Sequence, residues 1–313
     1  MKSSPWPDLR GVDLAPTLTT LHLWTQVVGK VRLMLTPWEN HGWHVPLYLS
    51  ARGFVTGLVL AQKVGFTAEF DLVSAELIMR TTAGAETRRL LASGSVADFY
   101  EAVLAFLKGA GADVSINPMP SELTVAIPFD QDRDRRPFEP DVARQYWRAM
   151  IEAQRVFQLF RTRFTGKVSP IHLFWGAFDL VITRFSGREA PAHPGGAPYL
   201  NDAVMREAYS REVSSAGFWP NLGSSEGPCF YSYAYPVPEG YAARTVMPPE
   251  ARYDATLGEF IFPYAAARES DEPDRALLDF LQTTYEAAAD LAGWDRQLLE
   301  REQGLLGKPP EGS

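Results

Sequence analysis

Residues 45–91, VPLYLSARGFVTGLVLAQKVGFTAEFDLVSAELIMRTTAGAETRRLL, decide the fold class. Segments 45–50, 54–60, 66–73, 76–82 and 86–91 are apolar-rich runs of strand length. Val73-Ser74-Ala75 and Ala83-Gly84-Ala85 stand between them as turns. Short strands closed by tight turns predict an antiparallel meander. Upstream, Leu18, Leu21, Thr25 and Val28 recur at helical spacing, so a helix is expected to run to about Lys30. Downstream, Ser95 precedes Asp98 by three residues, a capping box with Asp in place of Glu or Gln, and predicts a second helix.

The rest of the chain follows the same plan. Val142, Tyr146, Met150, Ala153, Phe157, Phe160 and Phe164 lie three to four apart and predict a long helix over about 141–163. Strands are expected at 171–175, 178–185, 229–235 and 259–263, with further candidates at 113–116 and 123–127. Pro273 suits the first turn of a last helix. Strands grouped between helices place the chain in the α+β class, with antiparallel sheets flanked by helices.

Three blocks also recur in the same order. Gly29-Lys30-Val31 and Gly166-Lys167-Val168 each stand eight residues, counted from the lysine, before a tryptophan, Trp38 and Trp175. FDLVSAELIM, 70–79, aligns without a gap on YDATLGEFIF, 253–262, and DFYEAVLAFLKGAG resembles DFLQTTYEAAADLAG. Two pseudo-repeats of helix, strands and helix are therefore expected at 12–127 and 141–294. Between them lies a charged linker, 128–140; the second copy carries an inserted aromatic and glycine-rich region, about 186–252, and a tail, 295–313, follows.

Composition excludes several classes. The 313 residues are 46% hydrophobic and 22% charged, which suits a globular chain with a sizeable core. A net charge of −8 leaves no surplus of cations for nucleic-acid binding. The single Cys229 forbids an intrachain disulfide or a CxxC metal site, and no window approaches a membrane span. The start lacks an apolar signal core, so a cytoplasmic location is expected. Neither GxGxxG after a strand nor GxxxxGK[ST] occurs.

The stretches WENHGWHVPLYLSARG, SPIHLFWGAFDLVITRFSGR, YSREVSSAGFWPN, FYSYAYPVP and TTYEAAADLAGWD carry a resemblance. They resemble an uncharacterised bacterial family, a domain of unknown function, over roughly residues 12–297. The resemblance implies a single-family chain and supplies no activity, cofactor or site residue. Gly42 departs from it: an aromatic is expected between His41 and Trp43.

Candidate chemistry gathers on a few residues. His44, His172, Asp179 and Glu212 are the candidate catalytic groups, because a histidine oriented by a carboxylate can act as a base. The alternative is a packed core histidine beside a locally paired Asp179. His41 and His44 could share a divalent metal if their loop curls, although this is not HExxH. Trp38, Trp43, Trp175 and Trp219 would wall a ligand cleft, and Arg184 could clamp an anion or stack on aromatics. Tyr231, Tyr233 and Tyr235 share a strand face that is either core or the floor of that cleft. The expected function is an enzyme acting on a small organic molecule between the two repeats; the alternative is a non-catalytic binder of an apolar or planar ligand.

Overall fold

The computed structural model describes residues 5–123, 125–222 and 226–304. α1 (Ala15–Leu35) leads into β1 (Tyr48–Leu49), β2 (Gly53–Val55), β3 (Val59–Leu60), β4 (Gly65–Asp71), β5 (Glu76–Thr81) and β6 (Glu86–Leu90), then α2 (Val96–Gly109). α3 (Pro140–Thr162) opens the second half. It continues through β7 (His172–Phe174), β8 (Asp179–Glu189), α4 (Asp202–Ala208), β9 (Arg211–Trp219) and β10 (Cys229–Tyr235). β11 (Arg252–Asp254), β12 (Glu259–Pro263), α5 (Tyr264–Glu269), α6 (Pro273–Leu291) and α7 (Arg296–Leu299) complete it.

The class is mixed α+β, with two antiparallel sheets, as the grouping of strands between helices predicts. The first runs β1-β2-β4-β5-β6 with β3 on β4; the second runs β7-β8-β9-β10-β12-β11. Leu47 and Leu173 exchange both backbone hydrogen bonds at 2.9 Å, so the edges of the two sheets are stitched together. One large apolar core spans both halves, from Leu21 and Trp24 of α1 to Phe280 and Tyr285 of α6. α1 is buried nearly all round, 14 of its 21 residues, which obliges its polar side chains to find partners. It runs five residues beyond the expected end at Lys30. Ser95 caps α2 by accepting from the Asp98 N–H at 3.0 Å. No helix among the described residues is long and apolar enough to cross a membrane.

The repeated blocks do not fall on equivalent places. Gly29-Lys30-Val31 lies inside α1, whereas Gly166-Lys167-Val168 lies beyond the end of α3. The two hairpins do match in register, Asp71 opposite Glu76 and Asp254 opposite Glu259. Their settings differ: β4 joins β2, but β11 is an edge and β12 joins β10. The halves share a helix–sheet–helix order without a common strand order, and duplication is not established.

Other expectations change too. Residues 186–252 are no irregular insertion, because β9 and β10 are interior strands. Small residues in REVSSAGFW suggest a loop, yet Ser214, Ser215, Ala216 and Gly217 are what a strand needs where β8 and β10 close on both sides. Residues 113–116 form no strand, nor do the described residues of 123–127. The segment 128–140 packs through buried Phe129 and Phe138, and its Asp132 pairs with Arg136 at 2.7 Å. The end of the tail, from 305 onward, lies outside the described residues.

Candidate functional site

Strand parity divides the second sheet into two faces. On β8, Leu180, Ile182 and Arg184 turn toward the helices, while Asp179, Val181 and Thr183 line a hollow of about 410 Å³ on the other side. The same face carries His172 and Phe174 of β7, Val213 and Ser215 of β9, Tyr231 and Tyr233 of β10, and Glu259 of β12. Loop residues Trp38, His41, Trp43 and His44 close one flank. α4 and its approach close another through Leu200, Val204, Met205 and Tyr209. Glu122 reaches in from the segment after α2.

Eight of the ten candidate residues meet here: His41, His44, His172, Asp179, Trp38, Trp43, Trp175 and Trp219. Arg184 and Glu212 do not line the hollow. Arg184 is fully buried on the helix side, its guanidinium 3.4 Å from the Phe160 ring and 4.4 Å from the Tyr285 ring, and it donates to the Phe160 carbonyl. Glu212 accepts from Ser186 Oγ at 2.8 Å and pairs with Arg188 at 2.7 Å. Both residues have the wrong parity on their strands.

Missing side chains make room for the walls. A Cβ on Gly29 would stand 2.2 Å from the Trp175 indole, which therefore lies against α1 and donates from Nε1 to the Val45 carbonyl at 2.9 Å. A Cβ on Gly217 would meet the Tyr231 ring at 2.4 Å, and one on Gly176 the Glu122 carboxylate at 1.8 Å. Trp38, 53% exposed, stands at the rim against His44.

A polar stripe on α1 at i, i+4 and i+8 fixes the remaining parts. His22 Nε2 donates to the carbonyls of Trp175 and Gly176 at 3.0 and 2.8 Å. The Gln26 amide clasps the backbone of Ser121, accepting its N–H at 2.8 Å and donating to its carbonyl at 2.9 Å. Lys30 donates to Ser121 Oγ at 3.0 Å. The adjoining Glu122 donates its N–H to the Pro198 carbonyl at 2.7 Å and holds a φ of 60°, a conformation that costs a non-glycine residue energy. The sequence reading overlooked this stripe and Glu122. Three long polar residues four apart on one face of a largely apolar helix were the available signal.

Three carboxyl groups share the hollow. Burial pushes Asp179 up to about 6, against the pull of the Tyr231 hydroxyl, which donates to its Oδ2. Burial and the nearby charge of Asp179 push Glu122 up to about 7, with Lys30 opposing. Glu122 is nevertheless exposed to the space it lines. Glu259 rises to about 7 through burial and the charges of Asp179 and Asp254. Burial lowers Lys30 to about 8. Tyr209 and Tyr233 join hydroxyls at 2.8 Å.

The histidines do not form the expected base. Asp179 bonds Tyr231, not an imidazole. His172, 1% exposed, sits among Trp43, Tyr48 and Phe174 with neither nitrogen hydrogen-bonded, and burial lowers it to about 3. His44 Nδ1 accepts the Glu39 N–H at 3.2 Å, and His41 Nδ1 donates to the Ala208 carbonyl at 3.0 Å. That tautomer of His44 carries its proton on Nε2 and offers no lone pair to a metal. Among the described residues, no group of three or more His, Cys, Asp or Glu could hold a metal ion. The metal expectation at His41 and His44 therefore lacks its further ligands.

A family model matches residues 6–301, and the chain belongs to that family, a family of unknown function (DUF5996). No curated protein and no solved structure matches the chain.

Proposed function

We propose that the hollow binds a small, largely aromatic or apolar organic molecule. One observation carries this reading: a single space of about 410 Å³ is walled by Trp43, Trp175, Trp219 and Tyr231 while a few polar groups converge on it. Ligand sites have that composition, and the volume suits a small molecule. Both halves of the chain contribute, the first through Trp43 and Glu122, the second through Trp175 and Tyr231. Titration with phenethyl alcohol, followed by tryptophan fluorescence, tests the reading. The expected result is a saturable change that Trp43→Ala or Trp219→Ala weakens and Arg184→Met leaves intact. A linear, non-saturating response in the parent protein would overturn it.

A second reading, an enzyme that moves a proton at the bound molecule, draws on Glu122. A carboxyl raised to about 7, open to a ligand and fixed on strained backbone, suits general acid–base work near neutral pH. Its signature is a rate limb near pH 7 that disappears in Glu122→Gln.

A further inference from the structure

We propose that the ligand of this hollow is an organic cation, an ammonium group on an apolar body. The inference rests on the small-molecule reading above and specifies its chemistry. The lining bears Glu122, Asp179 and Glu259, and no lysine or arginine among the described residues. Lys30, from α1, is the cation whose charge acts on Glu122. It stands behind Ser121, outside the lining. Lys167 lies over the rings of Trp43 and Phe185, 4.9 and 5.0 Å away, and its charge interactions are with Arg211, Glu207 and His41 rather than with the three acids. Three acids thus line the space, and among the described residues Lys30 is the one cation whose charge acts on any of them.

Charge confined among aromatic walls is costly unless paired. An anionic ligand would add to the repulsion, and a wholly apolar one would leave the acids unpaired. An ammonium pairs with them and is also drawn to the faces of Trp and Tyr rings. His172 points the same way independently. It is 99% buried, on the strand face that Phe174 and Val181 share with the hollow, and both its nitrogens lack a hydrogen-bond partner. A neutral imidazole there offers an acceptor for an ammonium hydrogen beside its one N–H donor, and adds no competing positive charge. The polar groups offered to a ligand are weighted toward acceptors.

Three probes of similar size separate the possibilities: phenethylamine, phenethyl alcohol and phenylacetate, each titrated calorimetrically into the intact protein at neutral pH. Phenethylamine should bind about tenfold or more tighter than the alcohol, and phenylacetate weakest. Glu122→Gln and, separately, Glu259→Gln should shrink the amine-over-alcohol ratio severalfold. Circular dichroism serves as the folding control in each variant. Equal affinity for amine and alcohol, or preference for phenylacetate, overturns the cation and leaves the small-molecule reading standing. Failure of all three probes to bind the parent protein overturns both.

Discussion

Glu122 keeps its proton to about pH 7 in the folded protein, against an ordinary value of 4.5. The folded state therefore holds more protons than the unfolded one between those values, and stability falls as pH rises through that window. Above it the penalty is fully present; below the unfolded value it vanishes. Glu122→Gln should raise the melting temperature at pH 8 and leave it nearly unchanged at pH 4, which thermal unfolding followed by circular dichroism will show. His172 has the opposite sign. Its folded value of about 3 lies below the ordinary 6.5, so it removes stability as pH falls from about 6.5 toward 3. His172→Phe should flatten the acid limb of the same curve. Residue parity also explains which candidates were legible. Asp179 and Arg184 are an odd number apart on β8, as are Glu212 and Trp219 on β9. Neither pair can share a face, so strand assignment alone would have separated Arg184 and Glu212 from the site.

α1 is the element that holds the hollow in shape. Its polar stripe grips the turn bearing Trp175 and the segment bearing Glu122, and Gly29 beside it admits the indole. Helix propensity alone predicts that Gly29→Ala stabilises an exposed helix by about 1 kcal/mol. Packing predicts the reverse here, because the new methyl falls on the Trp175 ring. Gly29→Ala should lower the melting temperature and weaken phenethyl alcohol binding together; a rise in melting temperature would show that Trp175 is not seated on α1. α4 is held differently. None of its residues is buried, and His41 bonds the carbonyl of its last residue, Ala208. His41→Ala should speed proteolytic cleavage within 193–210, and bound ligand should slow it again, as a limited digest read by mass spectrometry will report. The helices and hairpins were readable because periodicity and turn chemistry are local. β9 was not, since its small residues make sense only between two neighbours that the chain supplies later and earlier.

On the scale of the molecule, one core runs through both halves and the sheets meet at Leu47 and Leu173. Such a chain should unfold in one cooperative calorimetric transition, whereas two resolved transitions would mean that the halves are separate folding units. The α+β class followed from grouped strands, and a cleft gathering histidines and tryptophans was expected between two pseudo-repeats, which are not established. The duplication used to place that cleft was not needed for it. The hollow arises where the free face of the second sheet is covered by the 38–45 loop and α4. The acids Glu122 and Glu259 lie far apart in sequence, with no local pattern to join them, so only the fold reveals their company. The most direct measurement is a crystal structure of the protein soaked with phenethylamine. The account predicts the phenyl ring between Trp175 and Tyr231 with its ammonium on the carboxyls of Glu122, Asp179 and Glu259. A hollow closed by side chains, or the amine bound at another surface with this space holding only water, would contradict it.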